Sequence, residues 1–161
     1  MLTKRYEHRT DLEKMQSQWN KLTGLHLRDE PSAAILRAAT AAEIAANLAV
    51  RKEFALRSKL SDDFVNGLLQ WANGLDGKIN RLLLPICKGS HHHKTFIKLK
   101  KNVEQISRKR NAIAHQGEFC NVRESREIIE KTRHFIETVV KIYEPGFILK
   151  DKKHLDSPDE P

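Results

Sequence analysis

Helix breakers cut this chain into a few long stretches, and their spacing limits the fold more than any other feature. Proline stands only at Pro31, Pro85, Pro145, Pro158 and Pro161. Gly24, Gly74, Gly77, Gly89, Gly117 and Gly146 fall between stretches of helical composition, which leaves Gly67 alone inside one. No stretch alternates apolar and polar residues between turn signals, so strands drop out of consideration. A length of 161 residues fits one core-forming domain and leaves no room for a second catalytic one. The expectation is an all-α fold, a single helical bundle of about four to six helices over residues 1–146, followed by a polar, proline-bearing, disordered tail over 147–161.

Apolar spacing places the helices. The first is expected over 3–22, with Leu12, Met15, Trp19 and Leu22 as a narrow buried stripe on the outside of the bundle. The second starts at Pro31, favoured in a first turn, and runs to about Arg57 through nine alanines from Ala33 to Ala49. So many small side chains let neighbours approach on several sides, which suits a central helix. Ser61 with Asp62 and Asp63 opens a third helix carrying Phe64, Leu68, Leu69 and Trp71, and a fourth, about 76–84, stops before Pro85. The fifth covers about 92–115 and ends at Gly117. Asn121 with Glu124 makes a capping-box start for the last, which runs to Tyr143. No run of 18 apolar residues occurs, and the start Met1-Leu2-Thr3-Lys4-Arg5 leads into charged sequence without the apolar stretch of a signal peptide, so a soluble, cytoplasmic protein with no membrane partner is expected. Cys87 and Cys120 form no C-x-x-C pair, and free thiols are the expectation.

Charge is concentrated. Residues 94–110 carry Lys94, Lys98, Lys100, Lys101, Arg108, Lys109 and Arg110 against the one acid Glu104, so +6 of the chain's net +8 falls there. Clustered cations gain affinity for a polyanion by releasing its counterions, and the cluster leads directly to His115. The segment can equally be a solvated helix face. Phosphate-binding glycine loops of the G-x-x-x-x-G-K-[ST] and G-x-G-x-x-G kinds, the G-x-S-x-G elbow and H-E-x-x-H are all missing from the sequence, which excludes P-loop hydrolases, such serine hydrolases and zincins. His91, His92 and His93 could ligate a transition metal, but adjacent histidines do not converge on one ion without an irregular backbone; they are expected in a solvated loop, with no metal and no cofactor.

The buried stripe of the fifth helix reads Phe96, Leu99, Val103, Ile106 and Ile113, and Arg110 interrupts it. A guanidinium so placed is directed into a groove and calls for an anionic partner, for which Glu43 in the alanine-rich helix is a candidate. His115 lies five residues on, about 140° around an ideal α-helix, so a common phosphate is reachable only if the helix end unwinds or a second chain contributes.

Arg110-Asn111, three small or aliphatic residues, His115 and then Gly117 at the end of the penultimate long helix of a small bundle resemble the signature of the HEPN superfamily (higher eukaryotes and prokaryotes nucleotide-binding). Its motif is Arg, four to six residues, then His, with a polar residue, commonly Asn, after the Arg. Arg108 also satisfies the spacing, and Asn111 singles out Arg110. The resemblance covers about 31–143. It implies a metal-independent endoribonuclease, often a toxin or phage-defence effector, working as a homodimer with a composite site at the interface and held in check by an antitoxin or inhibitor protein. By position, Arg110 would hold the scissile phosphate of RNA, Asn111 would orient it or the Arg, and His115 would move protons, with Lys94, Lys98, Lys100, Lys101, Arg108 and Lys109 tracking the backbone. Aromatic residues are scarce near the patch, Phe96 reading as core and Phe119 as the one loop candidate, so little base specificity is expected. Two other readings fit: a non-catalytic nucleic-acid or nucleotide binder, and an interaction subunit docking through the Trp19 helix.

Overall fold

The computed structural model describes residues 4–152, in which helices are the regular elements and no strand occurs. After a short turn at Tyr6–His8 come α1 (Asp11–Leu27), α2 (Pro31–Arg57) and α3 (Asp62–Trp71). Three abutting pieces, Gly74–Gly77, a π-helical Lys78–Leu83 and Leu84–Ile86, then make one rod, α4, because the residues at both junctions keep right-handed helical dihedrals. The long helices α5 (His91–Gln116) and α6 (Val122–Tyr143) complete the bundle.

The central position foreseen for α2 is found. It packs against all five other helices, and its buried face is mostly alanine, with Ala34, Ala38, Ala41, Ala42, Ala46 and Ala49 fully enclosed. By length and mean hydropathy α2 also falls in the range of a membrane span, but here its neighbours take up the apolar surface. Pro31 occupies the first turn as expected, and Ser61 and Asn121 cap α3 and α6 through their side chains, the latter in a full capping box with Glu124.

Four expectations need correction. The first helix starts at Asp11, because Thr10 and Glu13 form a capping box that stops it from extending back to 3, and it continues through Gly24 to Leu27. Its outer place is as expected, since α1 packs chiefly on α2 alone, but Met15 and Trp19 are fully buried in that contact, which removes Trp19 as a docking surface. The fourth helix passes through Pro85. The Leu84 N–H reaches back five residues to Ile79 O, and this wider turn lies where a proline ring would otherwise meet the carbonyl four residues before it. Finally, residues 147–152 are a strap fastened to the bundle rather than a loose tail. Leu149 is buried, Gln16 bonds the Lys150 backbone through both N–H and C=O, and Asp151 accepts from Trp19 Nε1 at 2.9 Å and from Arg133. Residues 153–161 of the expected tail lie outside the described residues.

Candidate functional site

The C-terminal end of α5 is held from two sides. Gly117 adopts φ 67°, the left-handed region, and its N–H and that of Glu118 both reach back to Ala112 O. Beyond it, the Cys120 N–H donates to Ser32 Oγ at 3.0 Å and Ser125 Oγ donates to Pro31 O at 3.2 Å, which ties the connection into α6 onto the first turn of α2.

On this fixed end Arg110, half-buried, meets both of its sequence partners. One terminal nitrogen, Nη1, donates to Asn111 Oδ1 at 3.0 Å and to His115 Nε2 at 3.1 Å. The 140° expected between Arg110 and His115 therefore does not keep them apart within one chain. Both residues lie within an α-helix that runs on to Gln116, so it is the length of the arginine side chain that spans the angle and brings Nη1 to the imidazole. A guanidinium can only donate, so Nε2 presents its lone pair here and the ring proton sits on Nδ1.

The cluster stands at a cleft of about 610 Å³ walled by α2, the N-terminal half of α4 and α5. Gly77 packs so closely on the end of α3 that a Cβ would lie 3.1 Å from the Ala72 carbonyl carbon. Glu43 lines the cleft but is paired with Lys78, not with Arg110 as the sequence suggested. Lys78 is 3% exposed, and its three N–H bonds go to Glu43 at 2.7 Å, Leu69 O at 3.2 Å and Ala72 O at 3.3 Å. Burying an ammonium demands such satisfaction, so Glu43 is committed to Lys78. Among the described residues no carboxylate lies within 4 Å of Arg110 or of Arg81, which also lines the cleft. Arg110 and Arg81 thus stand in the cleft as cations without an ion-pair partner among the described residues, while Asp76, which accepts from Asn80 Nδ2 at 2.8 Å, adds one carboxylate to its lining.

Lys94, Lys98, Lys101 and Arg108 are exposed and Lys100 is half-buried, each without a carboxylate within 4 Å among the described residues. Lys94, Lys101, Arg108 and His115 recur every seventh residue and form one outer ridge. Lys109 does not belong to that set. It is drawn to Glu118 and to Glu124 at 3.6 Å, and the Glu118 carboxylate holds its pKa up.

The histidine run is the first turn of α5, not a solvated loop. His92 Nδ1 lies 2.7 Å from Glu53 Oε1, the same oxygen accepts from Tyr143 Oη at 2.7 Å, and Arg57 Nε donates to Oε2 at 2.9 Å. Glu53 is fully buried; burial raises its carboxyl, and the His92, Tyr143 and Arg57 contacts more than offset this and hold it below the ordinary value. No group of three or more His, Cys, Asp or Glu side chains is arranged to hold a metal among the described residues. Cys87 and Cys120 are free and buried, and burial pushes the Cys87 thiol up to about 12, so it carries no thiolate at neutral pH.

Sequence reasoning passed over three cleft residues. Asn73 and Ser107 line it, and the Ser107 Oγ is buried without a partner. Arg81 lines it too, with its guanidinium 5.4 Å from the Trp71 ring centroid. A lone Arg in a short helix carries no signal of its own; the proximity exists only because the chain turns between α3 and α4. The chain matches no protein-family model, and comparison with curated proteins and with solved structures finds no match.

Proposed function

We propose that this protein is a metal-independent endoribonuclease of HEPN type. The observation that carries the reading is the Arg110–Asn111–His115 cluster, joined within one chain at the mouth of a cleft whose cations lack carboxylate partners. RNA needs two things to cleave itself: a base for the 2′-hydroxyl and positive charge for the oxygens that gather charge on phosphorus. His115 Nε2 takes the 2′-proton, the 2′-oxygen bonds to phosphorus, and the bond from phosphorus to the 5′-oxygen breaks. The imidazolium returns the proton to the departing oxygen. Arg110 turns from His115 to the phosphate and supplies the charge that a metal supplies in other nucleases, while Asn111 Oδ1 keeps the guanidinium in plane. Lys94, Lys98, Lys100, Lys101 and Arg108 hold the backbone, and an RNA strand is the partner.

Cleavage of a labelled single-stranded RNA should survive EDTA and leave a 2′,3′-cyclic phosphate and a 5′-hydroxyl. Activity lost on chelation and restored by magnesium, or a 5′-phosphate product, overturns the mechanism.

The homodimer implied by the family resemblance no longer follows from the angle between Arg110 and His115. We take the pair to act in cis, whether or not a second copy docks. Mixing Arg110→Ala protein with His115→Ala protein should then restore no cleavage. Recovery toward a quarter or more of wild-type activity would instead place Arg and His in different chains.

A further inference from the structure

We propose that Trp71 and Arg81 form a nucleobase subsite at the edge of the cleft, so that the substrate is an unpaired stretch of RNA with one base stacked on the indole. The inference rests on the ribonuclease reading and adds the substrate class to it. Trp71 is the last residue of α3, immediately before the turn whose residues 73–77 wall the cleft. Trp71 is 61% exposed although Arg81 sits over its ring, so the side chain stays open to solvent. Arg81 belongs to both places at once, its guanidinium over the indole while it lines the cleft that holds Arg110 and His115. A flat apolar ring beside a cation is the surface that a nucleotide matches, the base stacking on the ring and the phosphate meeting the guanidinium. Bases in a duplex are already stacked on each other and offer no free face, which restricts this subsite to single strands. Stacking reads no hydrogen-bond pattern, so the expectation of little sequence preference stands while a preference for unpaired RNA is added.

The chain's two tryptophans make the test direct, because Trp19 is fully buried and Trp71 is the one a ligand can reach. In protein carrying His115→Ala to prevent turnover, hexauridylate should quench tryptophan emission, and an abasic ribose-phosphate hexamer of equal charge should not. Adding Trp71→Ala, on an exposed side chain and checked by circular dichroism, should weaken hexauridylate binding about tenfold and leave the abasic polymer unchanged. Trp71→Phe should lose the quench and keep affinity within a few fold. Arg81→Ala should weaken both polymers.

Hexauridylate bound without quenching, or Trp71→Ala weakening both polymers equally, overturns the subsite. If wild type still cleaves RNA in that case, the ribonuclease reading survives alone. Failure of the protein to bind either polymer removes both readings together. The exposed Phe64 lies two turns before Trp71; an emission shift that follows protein concentration but not RNA would assign this edge to a protein contact and also overturn the proposal.

Discussion

His115→Ala should lower the rate of RNA cleavage by on the order of 10²-fold or more while changing RNA affinity only a few fold. Binding and chemistry separate because they come from different groups. On the proposed reading the exposed cations of α5 supply affinity that does not depend on sequence, whereas His115 is the one group of the cluster that can both take up and give back a proton. His115 is exposed and lies in the last turn of its helix, so its removal leaves the core intact. Arg110→Ala should weaken both rate and affinity, and Arg110→Lys should recover affinity better than rate, since an ammonium restores charge but not the fork that bridges Asn111, His115 and phosphate. Reversing Lys98, Lys100 and Lys101 should reduce affinity and flatten its salt dependence. A binding titration beside single-turnover cleavage of the same labelled strand checks each variant. A His115→Ala protein that cleaves at the wild-type rate ends the proposal, and a wild type that binds RNA but cleaves none leaves a non-catalytic binder.

The largest change in stability should follow Glu53→Ala, at about 3 kcal/mol, or about 6–12 °C in Tm for a domain of this size. The carboxylate is fully buried at the place where α2, the start of α5 and the end of α6 meet, and its loss leaves Tyr143 Oη and His92 Nδ1 facing apolar surroundings with no acceptor. Glu53→Gln keeps the shape and an acceptor and should cost less than half as much. The same carboxylate links stability to pH. Its folded pKa lies below the ordinary 4.5, so its contribution is complete above that value and is lost as pH falls from there through the folded value. Urea unfolding should show wild type losing stability more steeply than Glu53→Gln on acidification below about pH 4.5, and parallel curves would refute the assignment.

Local signals recorded the fold well because its elements end where single residues force them to end. Pro31, Ser61, Gly117 and the Asn121–Glu124 pair act within one turn, and one turn is visible in a sequence. The Thr10–Glu13 box was equally local and was passed over. Pro85 misled for the opposite reason, since a stop signal was absorbed by a π turn that no local pattern announces. At the site, Arg110, Asn111 and His115 could be named from one helix, because an arginine inside an apolar stripe is conspicuous. Their contact could not, because the angle between two positions on a helix leaves out how far a long arginine side chain reaches around it. Partners across the chain were illegible: Glu43 belongs to Lys78, 35 residues on, and His92 to Glu53, 39 residues back. Charge says that such residues need partners, and only the packing of α2 against its neighbours decides which.

The cation ridge of α5 has a shape that its residue list hides. Seven residues fall short of two full α turns by about 20°, so each step from Lys94 to Lys101, Arg108 and His115 rotates slightly about the helix axis, about 60° in all. The rotation carries the row from the outward side of α5 toward the side bearing Asn111 and Ser107, which faces the cleft. A polyanion following these charges, as the proposed function has it, would travel an oblique course around the helix. It would start on open surface and finish at the cleft, so the periodicity of the sequence would itself steer a bound strand.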